Sequence, residues 1–249
     1  MKPLHGLRIV SVEQFGAAPY GTMLLADLGA EVIKVENAGV GGDPARYTGP
    51  YLLGPADSEY FQVFNMSKKS VALDLRSDEG RAGLHHLIAD ADAVVNNLRG
   101  DLATPMGLDY QALGAIKPSI VCVHVSAYGR DNERASWPGY DYLMQAESGL
   151  MHLTGEPDGP PSRLGAPSII DQCTGLTATV GLLAAIMQAR AAPDDVHPAR
   201  AGERATSRSG ASTPPVMPAT RDASGRVWIL LWVLAGLASI AVGVYFALR

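Results

Sequence analysis

Short β-branched or apolar runs alternate with helical patterns through residue 190, and this order predicts an α/β fold with a mostly parallel sheet and helices on both faces. Composition bounds the same region: 249 residues, 47% hydrophobic and 18% charged with 27 glycines, can bury a large core. The end of the chain is different. From 191 to 226 it turns to Ala, Pro, Ser, Thr and Arg without apolar periodicity, and 227–248 carries no charge at all.

The first expected strand is "LRIVSV", followed by a helix in "YGTMLLADLG" that ends on Gly29 and a second strand in "EVIKVE". "SVALDL" reads as the next strand. Ser77 then caps a helix whose first turn holds Asp78 and Glu79, where the macrodipole favours acids. "DAVVNN", a helix near "DYQALGAI" and the strand "SIVCVHVSAYG" continue the alternation. "GYDYLMQAESGLMHLTG" and "TGLTATVGLLAAIMQAR" are helical and rich in small residues, and the loop between them holds four prolines. The expected organisation is a Rossmann-like domain over 1–190, a flexible disordered linker over 191–226 and a single C-terminal transmembrane helix over 227–248. That last run matches the ~20 apolar residues that cross a bilayer core. Arg226 and Arg249 bracket it, and Trp228, Trp232 and Tyr245 lie towards its ends as interfacial anchors do.

Charge excludes one class of function. Residues 1–190 hold 14 basic and 21 acidic side chains, net −7, with no basic stripe, so no nucleic-acid partner is expected. Cys122 and Cys173 belong to no metal-ligand or disulfide pattern, and Cys173, with no base nearby in sequence, reads as a buried inert thiol. His85, His86 and His152 form no zinc motif. The first turn, "EQFGAAPYG", lacks GxGxxG, which speaks against a dinucleotide enzyme. Lys68 and Lys69 read as an exposed turn.

Open α/β sheets bind ligands at the carboxyl ends of their strands, and three such ends here carry polar turns: "LDLR", "NNLRG" and "SAYG". Arg76 and Arg99 can pair with phosphates, and the Asn97 amide can bond a base, ribose or phosphate. Asp171, after the apolar "PSII" and before "QCTG", admits two roles. It is either an ordinary helix N-cap or a carboxylate that attacks an activated acyl group.

Taken in order, "PLHGLRIVSVEQFGAAPYGTMLLADLGAEVIKVE", "GDPAR", "NMSKKSVALDL", "NNLRG", "MGLDYQAL", "SAYG", "PGYDYLMQAESGLMHLTGEPDGPP" and "IIDQCTGL" resemble the class III CoA-transferases, relatives of formyl-CoA, carnitine and bile-acid CoA-transferases and of α-methylacyl-CoA racemase. The resemblance implies exchange of CoA between an acyl-CoA and a carboxylic acid acceptor, with no tightly bound cofactor and coenzyme A as substrate. It makes Asp171 the catalytic carboxylate, passing through an aspartyl anhydride and an aspartyl-CoA thioester. It assigns CoA-nucleotide contacts to Gly16, Ala17, Leu73, Asp74, Leu75, Arg76, Asn97, Leu98, Arg99, Gly139 and Tyr140, and no metal. Asn37 and Pro105 stand where the family usually has Arg. Tyr140 stands where the racemase branch has a proton-shuttling His, which favours the transferase reading, since Tyr with a pKa near ~10 is a poor base at neutral pH.

The match ends near Arg190, where family members continue into a second domain and build interlocked homodimers. Two explanations for the tail stay open, a tail-anchored chain or a change of reading frame. The expectation is a membrane-anchored, truncated transferase with its body in the cytoplasm, or a purely cytoplasmic one if the tail is an artefact. The alternative is a non-catalytic, membrane-tethered protein that keeps CoA binding or dimerisation only.

Overall fold

The computed structural model describes residues 1–165, 168–191 and 243–247. β1 (Arg8–Val12) leads through α1 (Ala17–Asp27) to β2 (Glu31–Glu36). A short hairpin, β3 (Leu52–Gly54) and β4 (Asp57–Ser58), and α2 (Glu59–Asn65) precede β5 (Lys69–Ala72). Then follow α3 (Asp78–Ala89), β6 (Ala93–Asn96), α4 (Tyr110–Leu113), β7 (Val121–Ser126), α5 (Asp141–Glu147), α6 (Leu150–Leu153), α7 (Ile169–Ala191) and β8 (Gly243–Ala247). The sheet order is β5-β2-β1-β6-β7-β8, parallel throughout except for β8. The expected α/β architecture is therefore present.

Alternation along β1 sends Ile9 to one face and Val10 and Val12 to the other, and the sheet divides two cores accordingly. On one face Leu25 and Ala26 of α1 and Ala178, Leu182 and Ile186 of α7 pack against Ile9, Val32 and Val123. On the other, Leu84 and Ile88 of α3 and Leu113 of α4 pack against Val10, Val94 and Cys122. Ser77 caps α3, its hydroxyl accepting from the Gly80 N–H, as the sequence signals. The expected helix over 139–155 is instead two short ones, broken at Gly149, whose φ of +76° ends α5 and redirects the chain.

α7 begins at Ile169, ahead of the stretch in which the sequence suggests a helix. It is the one helix among the described residues that is long and apolar enough to cross a membrane, yet its inner face is part of the core. Ala191, the expected start of the linker, is the last residue of α7; the rest of the linker, 192–226, and most of the expected transmembrane helix lie outside the described residues. Within that span Gly243–Ala247 is a strand, paired antiparallel with β7 from Gly243 opposite Ser126 to Ala247 opposite Cys122. Without this pairing β7 would present an unpaired edge.

β1 pairs with β2 on one side and β6 on the other, so chain connections leave in opposite directions from its carboxyl end. Ligands of open sheets bind at such a switch point.

Candidate functional site

Two glycines set the distance between α1 and α7. A Cβ on Gly21 would lie 2.7 Å from the Gly175 carbonyl oxygen, and one on Gly175 would lie 2.5 Å from that of Ala17. Only backbone fits there, and the helices consequently touch near their N-termini. One turn further, the same contact places the Asp171 carboxyl on Gly16, where a Cβ would stand 2.4 Å from Oδ2.

Asp171 lies in the first turn of α7 but does not cap it. Ser168 occupies the cap position, its carbonyl accepting from the Gln172 N–H, and the cap itself comes from a different helix. Asp141 Oδ1 accepts from the N–H groups of Ile170 at 2.7 Å and Asp171 at 3.1 Å, while Oδ2 accepts from the Gln145 amide. With these N–H groups bonded to Asp141, the Asp171 carboxyl is not used as the cap of α7. Burial, and secondarily the negative Asp141, push its pKa up to about 7. Tyr60 of α2 belongs to the same environment. Burial and Asp171 push its phenol up to about 12, so it remains a hydrogen-bond donor at neutral pH, and it shares a hydrogen bond with Ser168.

The turn beneath Asp171 is clamped from both flanks. Across the switch point, the Asn97 side chain accepts from the Gln14 N–H at 2.9 Å and donates to the Gln14 carbonyl at 2.7 Å. Phe15 follows in a left-handed conformation, φ +58°, with its N–H donated to Asp43 at 3.2 Å and its ring edge-on to Tyr140. Asp43 is buried against Lys34 at 2.7 Å. Its N–H is donated to Glu36, whose carboxyl is held at about 2 because Arg46, Ser70 and Asp43 outweigh the upward push of burial. Nearby, Glu13 accepts from Thr22 of α1 and pairs with Lys68 at 2.8 Å. Lys68 also donates to the Pro19 carbonyl, and burial lowers its pKa to about 8.

A separate groove of about 60 Å³ opens at the carboxyl ends of β1, β2 and β5, lined by Val12, Val35, Asn37, Leu73, Asp74, Leu75, Arg76 and Met106. Among the described residues no group of His, Cys, Asp or Glu is arranged to hold a metal ion.

The profile of CoA-transferase family III matches residues 4–194. The chain belongs to this family. Among curated family III relatives, it is 36% identical over 200 residues to the succinate–glutarate CoA-transferase of Agrobacterium fabrum, covering 78% of this chain and 50% of that protein. It is 36% identical over 184 residues to the acetyl-CoA:oxalate CoA-transferase of Acetobacter aceti, covering 74% of this chain and 46% of that protein. The crystal structure of a CaiB/BaiF family protein from Brucella suis superposes with a TM-score of 0.68 at 37% identity, covering 76% of this chain and 50% of that one. The chain thus spans about half the length of these relatives.

In this family III chain the residues singled out by sequence fall into two places. Gly16 and Ala17 lie at the crossing beside Asp171, and Tyr140 joins them through Phe15. Gly139 packs its backbone on Ala127, where a Cβ would stand 2.3 Å from that side chain. Leu73, Asp74, Leu75 and Arg76 line the groove. The others have structural partners: the Asn97 amide is committed to Gln14, Leu98 packs against the core, and Arg99 pairs with Asp101 at 3.0 Å. Two readings are corrected. Lys68 is not in an exposed turn but is an ion-paired side chain only 2% exposed, drawn in by the buried Glu13. Cys173 is exposed, because it lies on the outer face of α7, and Cys122 is the buried thiol.

Sequence reasoning passed over Asp141, Tyr60 and the Lys34–Asp43 pair. The only signals were "GYD", "SEY" and "GDPAR", motifs whose side chains meet solely through tertiary contact. Asp141→Asn is expected to keep the α7 cap through its remaining oxygen while removing a negative neighbour. The Asp171 midpoint should then fall below about 7, measured by ¹³C NMR of the aspartate carboxyl carbons across pH.

Proposed function

We propose that this chain carries the CoA-binding half and the covalent nucleophile of a CoA-transferase that moves CoA between an acyl-CoA and a carboxylic acid. The observation that carries this reading is the Asp171 carboxyl, set on the Gly16 backbone, freed from capping by Asp141 and poised near neutrality. A desolvated carboxylate is a stronger nucleophile than a hydrated one, and backbone N–H groups at the start of α1 are at hand for a developing oxyanion. Tyr60, protonated at neutral pH, adds a donor.

Asp171 attacks the thioester carbonyl, the C–S bond breaks, and CoA thiolate leaves behind an aspartyl mixed anhydride. The thiolate attacks the aspartyl carbonyl, expelling the donor acid as its carboxylate and leaving aspartyl-CoA. The acceptor carboxylate then displaces the thiolate to form a second anhydride, and the thiolate takes up the acceptor acyl group, which restores the Asp171 carboxylate.

The groove at Leu73 to Arg76, with Gly16, Ala17, the 97–99 turn, Gly139 and Tyr140, is the proposed seat of CoA, and CoA is a substrate here rather than a resident cofactor. The names of the relatives pair succinate with glutarate and acetyl-CoA with oxalate, so short dicarboxylic acids and their CoA thioesters are the proposed substrates. A homodimer is part of the reading, supported by the apolar outer face of α7, where Leu176, Val180 and Met187 are exposed. The same reading proposes a body in the cytoplasm, where CoA is available.

Isotope transfer tests the route. With an acceptor acid labelled with ¹⁸O in its carboxylate and an unlabelled acyl-CoA, turnover should deposit ¹⁸O in Asp171, read by peptide mass. Turnover without label in Asp171 would rule out the covalent route. CoA binding without turnover would support the non-catalytic alternative.

A further inference from the structure

We propose that the buried Lys34–Asp43 pair is a positioning element for the site, holding the Phe15–Gly16 backbone against the Asp171 carboxyl; this rests on the reading of Asp171 as nucleophile. Lys34 stands in the middle of β2, a strand otherwise made for a two-sided core, and its side chain is 1% exposed. A lysine so placed is rare unless it is paired. Its ammonium donates to Asp43 Oδ2 at 2.7 Å, in a carboxylate with no exposed side-chain surface. The other oxygen, Oδ1, accepts from the N–H groups of Phe15 at 3.2 Å and Ala45 at 2.9 Å.

The bond to Phe15 falls on the one residue of this turn whose backbone is strained. At φ +58° Phe15 is in a region that L side chains rarely occupy, and it persists only if its surroundings impose it. Asn97 fixes Gln14, one residue earlier, so Asp43 is the side chain that fixes Phe15 itself. The consequence lies at the next residue, where the Gly16 backbone meets Asp171 and keeps water from that side of the carboxyl. The Lys34 ammonium also sits 5.6 Å from the centre of the Phe61 ring, on the helix that carries Tyr60. Two of the groups that surround Asp171, Gly16 and Tyr60, are therefore borne by segments that rest on this one pair.

Fold stabilisation alone and positioning make different predictions. The negative charge that acts on Asp171, Asp141 of α5, is untouched by Asp43→Asn, so a change in Asp171 titration reports access of water past the two segments that rest on the pair, the turn at Gly16 and the helix of Tyr60. In the full chain, Asp43→Asn is expected to lower the ¹³C NMR midpoint of Asp171 from about 7 towards the ordinary carboxylate range. Trapping of an adduct from succinyl-CoA should slow by roughly ten- to a hundredfold, as misplacement by about 1 Å does. Introducing Phe15→Gly alongside it should restore much of the midpoint, because glycine holds a positive φ unaided. Should Asp43→Asn fail to fold, Lys34→Met/Asp43→Asn, which buries no unpaired ammonium, is read by the same titration with the same fall expected. A midpoint that stays in place in whichever variant folds, with only thermal stability reduced, overturns the proposal. Absence of any adduct in the parent chain counts against the nucleophile reading instead, and the titration still decides the positioning role.

Discussion

Asp171→Asn is expected to abolish CoA transfer, with turnover reduced by at least about a thousandfold, because an amide cannot form the anhydride and the remaining groups only bind and polarise. The same substitution should stabilise the fold at alkaline pH. The folded-state pKa of Asp171 is raised from 3.8 to about 7, so between these values the folded chain holds a proton that the unfolded chain has released. Stability attributable to this group is fully present at low pH and is lost as pH rises towards about 7. Asp171→Asn, which has no charge to bury, should therefore melt higher than the parent at pH 8, by about 2 kcal/mol after allowing for partial exposure, with the gap closing towards pH 4. Calorimetry at a series of pH values measures it. For the parent, adduct formation should rise with pH and level off above about 7, since the ionised form attacks.

Gly175→Val is the second large effect. Its Cβ would stand 2.5 Å from the Ala17 carbonyl oxygen and 3.1 Å from the Gly21 nitrogen, both backbone atoms of α1 that cannot swing aside. The helices must separate, and the cost is expected to be about 3 kcal/mol or more, at the upper end for overpacking, measured by denaturant unfolding. Separation also lifts Gly16 from Asp171, so any folded fraction should lose adduct formation. Val180→Ala, on the exposed outer face of the same helix, should change stability by less than about 0.5 kcal/mol in the isolated chain.

The strands were readable because a buried parallel sheet leaves a plain record in sequence. "EVIKVE" is β2 to the residue, and "LRIVSV" and "SIVCVHVSAYG" contain β1 and β7. Ser77 announced α3 through cap chemistry that is local by nature. Residues 37–68 were not readable. Their hairpin and α2 depend on Glu36, Arg46 and Lys34 turning inward, and charged residues in a strand pattern carry no local mark of the partner that buries them. The position of Asp171 was legible from local pattern, whereas the catalytic role came only from the family resemblance. Capping and nucleophilic attack place the same residue type at the same helix end, and only the arrival of Asp141 from thirty residues away shows that Asp171 is not the cap. For the end of the chain, hydropathy favoured a membrane helix from 227 to 248, whereas the open edge of β7 takes Gly243–Ala247 as a strand.

Covalent attachment of Asp171 during CoA transfer is the step on which the proposed function rests. Its most direct test is to mix the purified chain with succinyl-CoA at pH 8, quench with borohydride, and locate the modification by peptide mass. Reduction of an aspartyl thioester to an alcohol at residue 171 alone is the predicted result. An unmodified Asp171 in a chain that binds CoA would contradict it.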